Sequence, residues 1–137
     1  MIVVIDTNVL LPALCTTNES HQILEAWMLG KFAWALTSEI LFEYEEIARP
    51  RIGDQRWQHF LTLMDRVGAL RQNVVRVSPT FRFRQIVSDH DDDKFADCAI
   101  AAEVDWIVTS DRHFDALIGS GYKPQPITPA EFIERHL

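Results

Sequence analysis

Two apolar runs that deliver acids constrain this chain more than any other feature in it. Ile2-Val3-Val4-Ile5 runs directly into Asp6, and Trp106-Ile107-Val108-Thr109 is followed two residues later by Asp111. Short apolar runs of this kind, rich in β-branched residues and bounded by polar ones, read as central strands of a parallel sheet buried on both faces. In open α/β sheets, ligands bind beyond the carboxyl ends of the strands. Acids brought to that edge from opposite ends of the chain point to a built site. Carboxylate oxygens are hard ligands, so the cluster suits Mg²⁺ or Mn²⁺.

Between these runs the pattern alternates. A helix is predicted from about Val9 and another from Ser20, where Ile23, Leu24 and Trp27 recur at helical spacing and Gly30 stops them. Phe32–Thr37 reads as a second strand. Ser38 is the expected N-cap of a helix ending near Arg49-Pro50, because proline disfavours helix in the residue before it. Gln55–Leu70 is helical, Val74–Val77 is a short strand, and 78–87 is ambiguous with room for a short helix. The acidic run Asp89–Asp93 opens a helix reaching about Val104, and Trp106–Thr109 is the fourth strand. A short helix over Phe114–Ile118, a turn at Gly119-Ser120-Gly121 and a fifth strand over Gln125–Thr128 complete the alternation. Thr128-Pro129-Ala130-Glu131 is a capping box with proline at the first helical position, so the chain ends in a helix. The expectation is one α/β domain over residues 1–137, a parallel sheet between helices.

Four acids stand out: Asp6, Glu43, Asp97 and Asp111. Asp6 leads Asp6-Thr7-Asn8, which places a charged oxygen beside the neutral amide oxygen of Asn8; both also suit a plain turn or helix cap. On a helical wheel with Ile40, Leu41, Tyr44, Ile47 and Ala48 as the apolar stripe, Glu43 is the acid of its helix held nearest the protein body. Asp93 and Asp97 share a helix face at a spacing where like charges repel, a penalty that a bound cation would reverse. Acids at a helix N-terminus favour its dipole, which explains Asp89, Asp91, Asp92 and Asp93 without a ligand, but not Asp97. Asp111 follows Thr109-Ser110, whose hydroxyls can orient it, and it also suits a cap. Like charges gathered at one edge would drive protonation unless a cation neutralised them.

The net charge of −7 argues against a nucleic-acid partner until its distribution is read. Residues 1–48 carry net −6, residues 49–84 carry net +6 from eight Arg and two Asp, and residues 85–137 carry net −7. The basic third uses Arg alone: Arg49, Arg51, Arg56, Arg66, Arg71, Arg76, Arg82 and Arg84. Guanidinium grips phosphate bidentately, and Arg49 and Arg51, just beyond the Glu43 helix, are the candidate substrate contacts. A solvated helix face, or partners for the acidic thirds, would use the same residues.

Two cysteines cannot make a disulfide framework, and no basic leader or apolar membrane span is present, so a cytoplasmic protein is expected. The chain has no Gly-x-Ser-x-Gly elbow, no glycine-rich phosphate loop and no zinc spacing among its two Cys and five His. His90 and His113 lie near the acids in sequence but suit ordinary surface roles.

The order and spacing of these blocks resemble the PIN-domain ribonucleases. The resemblance rests on Ile2–Leu10, Ser38–Tyr44, Asp89–Ala99, Ile107–Asp111 and the Thr-Pro-Ala-Glu-Phe segment that opens the last helix. It is nearest to the branch of toxins from toxin–antitoxin pairs (VapC-like). It implies a three-layer α/β/α fold with a five-stranded parallel sheet in the order 3-2-1-4-5, and Mg²⁺- or Mn²⁺-dependent cleavage of single-stranded RNA to 5′-phosphate and 3′-hydroxyl ends. By the same resemblance Asp6, Glu43, Asp97 and Asp111 are catalytic metal ligands, with Asn8, Thr109 and the added acid Asp93 as polar helpers; Ser110 is a further helper by its place beside Asp111. An antitoxin protein is the implied partner, and a homodimer is compatible with it.

Two rivals remain. A phosphatase of the haloacid-dehalogenase type also begins with a strand-end Asp, but needs a second acid two residues on, where this chain has Asn8, and a lysine that the pattern does not place. A non-catalytic module could keep the fold without the chemistry.

Overall fold

The computed structural model describes residues 1–78 and 93–137, Asp93 by its backbone only. Its centre is strand β1, Ile2–Ile5, flanked by β2, Ala33–Leu36, and β4, Trp106–Val108. The edges are β3, Val74–Arg76, and β5, Gln125–Ile127. All pairings are parallel and the order is β3-β2-β1-β4-β5, so the five-stranded expectation holds. Val3, Val4 and Ile5 are buried, as are Trp34, Ala35 and Leu36 beside them. That is why these runs carry no alternation: helices cover both faces.

Helices α1, Thr7–Ala13, and α2, His21–Met28, follow β1; α3, Ser38–Ile52, and α4, Asp54–Arg71, follow β2. Helix α5, Asp93–Ala101, precedes β4, and α6, Pro129–His136, ends the chain. Aromatic side chains knit the core. Trp34 meets Trp27 edge-on at 5.4 Å between centroids and lies 5.9 Å from Tyr44, which in turn lies 6.4 Å from Phe95 of α5. Offset and edge-on pairs of this kind add to the stabilisation from buried area.

Several boundaries differ from the sequence expectation. Thr37, not Ser38, caps α3: its hydroxyl accepts the Ile40 N–H at 3.1 Å. Helix α3 also continues through Pro50 to Ile52. Proline there removes one backbone donor close to the helix end, a smaller loss than in mid-helix, and Gly53 stops the helix three residues later at φ +90°. Ile47, placed on the apolar stripe by the wheel, is 37% exposed; the buried stripe is Ile40, Tyr44 and Ala48. The short helix expected over Phe114–Ile118 is a 3-10 helix over Arg112–Leu117. The terminal capping box forms, with the Thr128 hydroxyl accepting the Glu131 N–H at 3.2 Å. Residues 79–87 of the ambiguous stretch, the start of the acidic run, Arg82, Arg84 and His90 lie outside the described residues.

Candidate active site

The register of the sheet builds the site. Ile5 pairs with Val108, so the next residues, Asp6 and Thr109, emerge side by side at the carboxyl edge. The Asp6 N–H continues the ladder to the Val108 carbonyl at 3.0 Å, and Thr109 does the same to Ile127 at 2.9 Å. Adjacency then becomes a side-chain contact: the Thr109 hydroxyl donates to Asp6 Oδ2 at 2.7 Å. The same hydroxyl oxygen accepts the Asp111 N–H at 2.9 Å, which leaves its proton for Asp6. Thr109 is 3% exposed and Asp6 4% exposed. A buried hydroxyl with both roles filled is an orienting group.

Asp6 is strongly perturbed. Burial pushes its carboxyl up to about 6, the Thr109 hydrogen bond works against that, and the charges of Glu43 and Asp111 add to the rise. Those two acids therefore act on Asp6 through space, from α3 and from the turn after β4.

Glu43 reaches this edge for reasons the wheel only partly captures. The buried Tyr44 hydroxyl donates to the Ile5 carbonyl, tying α3 to the last residue of β1. The Thr7 hydroxyl donates to Glu43 Oε2, and Lys94 Nζ of α5 lies 2.7 Å from Glu43 Oε1. Both carboxylate oxygens thus have donors. The side chains of Glu43 and Lys94 are 18% and 20% exposed, against 38% for Glu45 two residues on.

Asp111 accepts the His113 N–H at 3.0 Å and stands 3.1 Å from the His113 ring Nδ1. It caps the 3-10 helix as expected and still contributes charge at Asp6. Asn8 is exposed, and its side-chain oxygen accepts the Ser110 N–H at 3.3 Å, so Asn8 and Ser110 fasten the turn after β1 to the turn after β4. Asp97 is 1% exposed on α5, one turn beyond Lys94. With Lys94, Thr37, Ser38 and Val77 it lines a cavity of about 220 Å³. The Asp93 side chain lies outside the described residues.

The structure thus brings Glu43 and Asp111 into electrostatic reach of Asp6, and Lys94 links Glu43 to the cavity of Asp97. It does not bring Arg49 to them. Arg49 sits farther along α3, 2.7 Å from Asp54 and 3.2 Å from Glu45. Arg51 is exposed on the last turn. The sequence pattern gives Thr7 and Lys94 no role, places Tyr44 only on an apolar stripe and gives His113 an ordinary surface role. Thr7 and Tyr44 were visible as polar groups beside candidate acids, whereas nothing local pairs Lys94 with a residue 51 positions away.

The donor set fits a hard divalent cation in chemistry. All its acids offer oxygen, and burial, with the charges of Glu43 and Asp111, raises the Asp6 carboxyl. As the side chains stand, Asp6, Glu43 and Asp111 each face a protein donor. Among the described residues no three Asp, Glu, His or Cys groups are close enough to share one ion. The thiols add no alternative nucleophile at the edge: buried Cys98 is pushed up to about 12 by burial and by Asp97, and Cys15 is exposed elsewhere.

The PIN domain family model matches residues 2–113 of the chain. The fold is similar to the crystal structure of VapBC2 from Rickettsia felis bound to a DNA fragment from their promoter. The TM-score is 0.62 at 17% identity, over 93% of this chain and 98% of that one. At that identity the likeness speaks for the fold. No curated protein matches the sequence. No helix among the described residues is long and apolar enough to cross a membrane.

Proposed function

The chain belongs to the PIN-domain family, and on that footing we propose that it is a Mg²⁺- or Mn²⁺-dependent ribonuclease of single-stranded RNA, the toxin of a toxin–antitoxin pair. The observation that carries this reading is the burial of Asp6 at the end of β1, 4% exposed beneath the Thr109 hydroxyl. A buried carboxylate raised to about 6 by burial, Glu43 and Asp111 is a costly arrangement for a merely structural acid. A divalent cation at this edge would offset that cost.

Asp6, Glu43, Asp97 and Asp111 would hold the cation, with Asp93 as an added acid. Bound there, Mg²⁺ or Mn²⁺ supplies positive charge to the scissile phosphate and to the attacking water. Everything else in the mechanism belongs to the chain. Thr109 fixes the carboxylate plane of Asp6 by donating to Oδ2. Asn8 and Ser110 hold the two strand-end turns together, which sets the separation of Asp6 and Asp111. Tyr44 anchors α3 so that Glu43 faces inward. Hydrolysis forms a bond from water oxygen to phosphorus and breaks the bond to the 3′-oxygen. That oxygen leaves with a proton and the new end is a 5′-phosphate.

Arg49 and Arg51 would hold flanking phosphates at the rim, after Arg49 exchanges Asp54 and Glu45 for RNA. Two free thiols suit the reducing cytoplasm expected from the sequence. An antitoxin and a second copy of the chain are the proposed protein partners.

The test is cleavage of a single-stranded RNA library with and without chelator, with 5′-phosphate and 3′-hydroxyl ends read on the products. Activity that survives chelation and is indifferent to Asp6→Asn would sink the reading. A lysine at a strand-end Asp would revive the phosphatase rival, but Lys94 pairs with Glu43 rather than Asp6.

A further inference from the structure

We propose that the Lys94 ammonium is the internal counter-cation of this site: it holds Glu43 until a divalent ion displaces it, and so sets the cation concentration at which the site fills. The inference rests on the metal-dependent reading above and concerns a residue outside the acid set.

The contact is specific. Lys94 Nζ lies 2.7 Å from Oε1 of Glu43, and the Thr7 hydroxyl takes Oε2. Both oxygens have donors, so a cation at Glu43 must share Oε1 with the ammonium, against its charge, or displace it. Thr7 is held by the first turn of α1 and is 8% exposed. The ammonium is at the tip of a flexible stem and faces a cavity of about 220 Å³ lined by Thr37, Ser38 and Asp97. It is the donor with somewhere to go.

The exposure of the pair makes the competition consequential. At 20% and 18% exposure the two charges are screened less than a surface pair, and a third charge nearby is felt strongly. An ammonium on Glu43 offsets part of the repulsion that a cation would otherwise relieve. A divalent ion entering beside it meets both an occupied ligand and a like charge. Two consequences follow. Neutralising Lys94 should tighten divalent-ion binding, although it removes a favourable contact. Displaced by the ion, the ammonium should also become more accessible to reagents.

The experiment is a calorimetric titration of the full chain with Mn²⁺ at fixed pH and ionic strength, in wild type, Lys94→Gln and Lys94→Arg. We expect Lys94→Gln to bind Mn²⁺ tighter, on the order of tenfold, and Lys94→Arg to stay near wild type because it keeps the charge. Should Lys94→Gln fold poorly, Lys94→Met, which keeps the apolar stem, gives the same comparison. A second measurement uses wild type alone: reductive methylation of Lys94, followed by mass spectrometry, should speed up severalfold when Mg²⁺ is added, while Lys31 and Lys123 serve as unresponsive references. Equal or weaker Mn²⁺ binding by Lys94→Gln overturns the counter-cation role and leaves the metal reading standing. No Mn²⁺ binding by any of the proteins overturns both.

Discussion

Helix α3 carries ion pairs at two places, and they differ in every respect that decides what an ion pair does. Near its middle, Glu43 meets Lys94 across 51 positions of sequence, with both side chains about one-fifth exposed. Toward its end, Arg49 meets Glu45 one turn back and Asp54 five residues on; the exposures are 45% for Arg49 and 77% for Asp54. The second pairing is local and screened, and raises the guanidinium and lowers the Asp54 carboxyl only through solvent-exposed contacts. Such pairs contribute little to stability. The first ties α5 to α3 at the edge where Asp6 is already strained. One helix thus separates a region where charge is confined from one where charge is free to exchange partners. Catalysis needs the first kind of region, and a reversible grip on a polyanion needs the second.

The comparison fails first if the confined region has no special chemistry. Asp6→Asn keeps an oxygen for the Thr109 hydroxyl and removes the charge. It should lower the RNA-cleavage rate about a thousandfold, equivalent to about 4 kcal/mol of barrier. The check is a single-turnover assay at saturating Mg²⁺. A loss of less than tenfold would place the reaction elsewhere.

The same substitution should show its cost in the pH dependence of stability. An acid whose pKa is higher folded than unfolded takes up a proton on folding. Its contribution is therefore most favourable below the unfolded value of 3.8 and is lost as the pH rises through the folded value of about 6. Without metal, Asp6→Asn should be more stable than wild type by up to about 3 kcal/mol at pH 7. That advantage should shrink steadily as the pH is lowered toward 4. Denaturant melts at pH 4, 5, 6 and 7 in chelator would show it, and a pH-independent difference would mean Asp6 titrates as an ordinary carboxylate.

The two pairs on α3 can be set directly against each other in double-mutant cycles. Glu43→Gln with Lys94→Met should show a coupling of about 1 kcal/mol in the absence of metal. The cycle of Arg49→Ala with Asp54→Ala should show none that melting can resolve. Equal couplings would erase the distinction between the two ends of the helix.

These tests also mark what the sequence could and could not disclose. Strands β1 and β4 were legible because fully buried strands carry uninterrupted apolar runs, and Asp6 and Asp111 followed because a strand end has a fixed place in a parallel sheet. The order of the strands came from the likeness to PIN domains, since no local pattern encodes it. The end of α3 was misjudged because proline near a helix terminus breaks few bonds, and its cap because Thr37 and Ser38 are chemically alike. Ile47 was assigned to the core because a wheel assumes a stripe centred on its first residue. Lys94 was hidden for a deeper reason. Its role is a long-range pairing, and neither period nor spacing reports on contacts between helices α3 and α5. Asp97 lies past the first turn of its helix, where the dipole does not account for an acid, and it is buried.

The smallest expected effect belongs to the exchangeable end of the helix. Arg49→Ala with Arg51→Ala should leave the thermal midpoint unresolved from wild type, since both side chains are exposed and surface pairs hold little. Mn²⁺ binding should likewise be unchanged, because Arg49 engages Glu45 and Asp54 rather than the site acids. What should move is the salt dependence of RNA binding. Each phosphate contact on a single strand contributes about −0.7 to the slope of log affinity against log salt. Losing one or two contacts should flatten the slope by about 0.7 to 1.4. A salt titration with Asp111→Asn protein, expected to bind without cutting, isolates this quantity. An unchanged slope would assign these arginines to Glu45, Asp54 and the α3–α4 corner alone, leaving RNA to be held by other residues of the basic third. A flattened slope with unchanged Mn²⁺ affinity would establish that the two ends of one helix divide the work, confined charge for the cation and mobile charge for the strand.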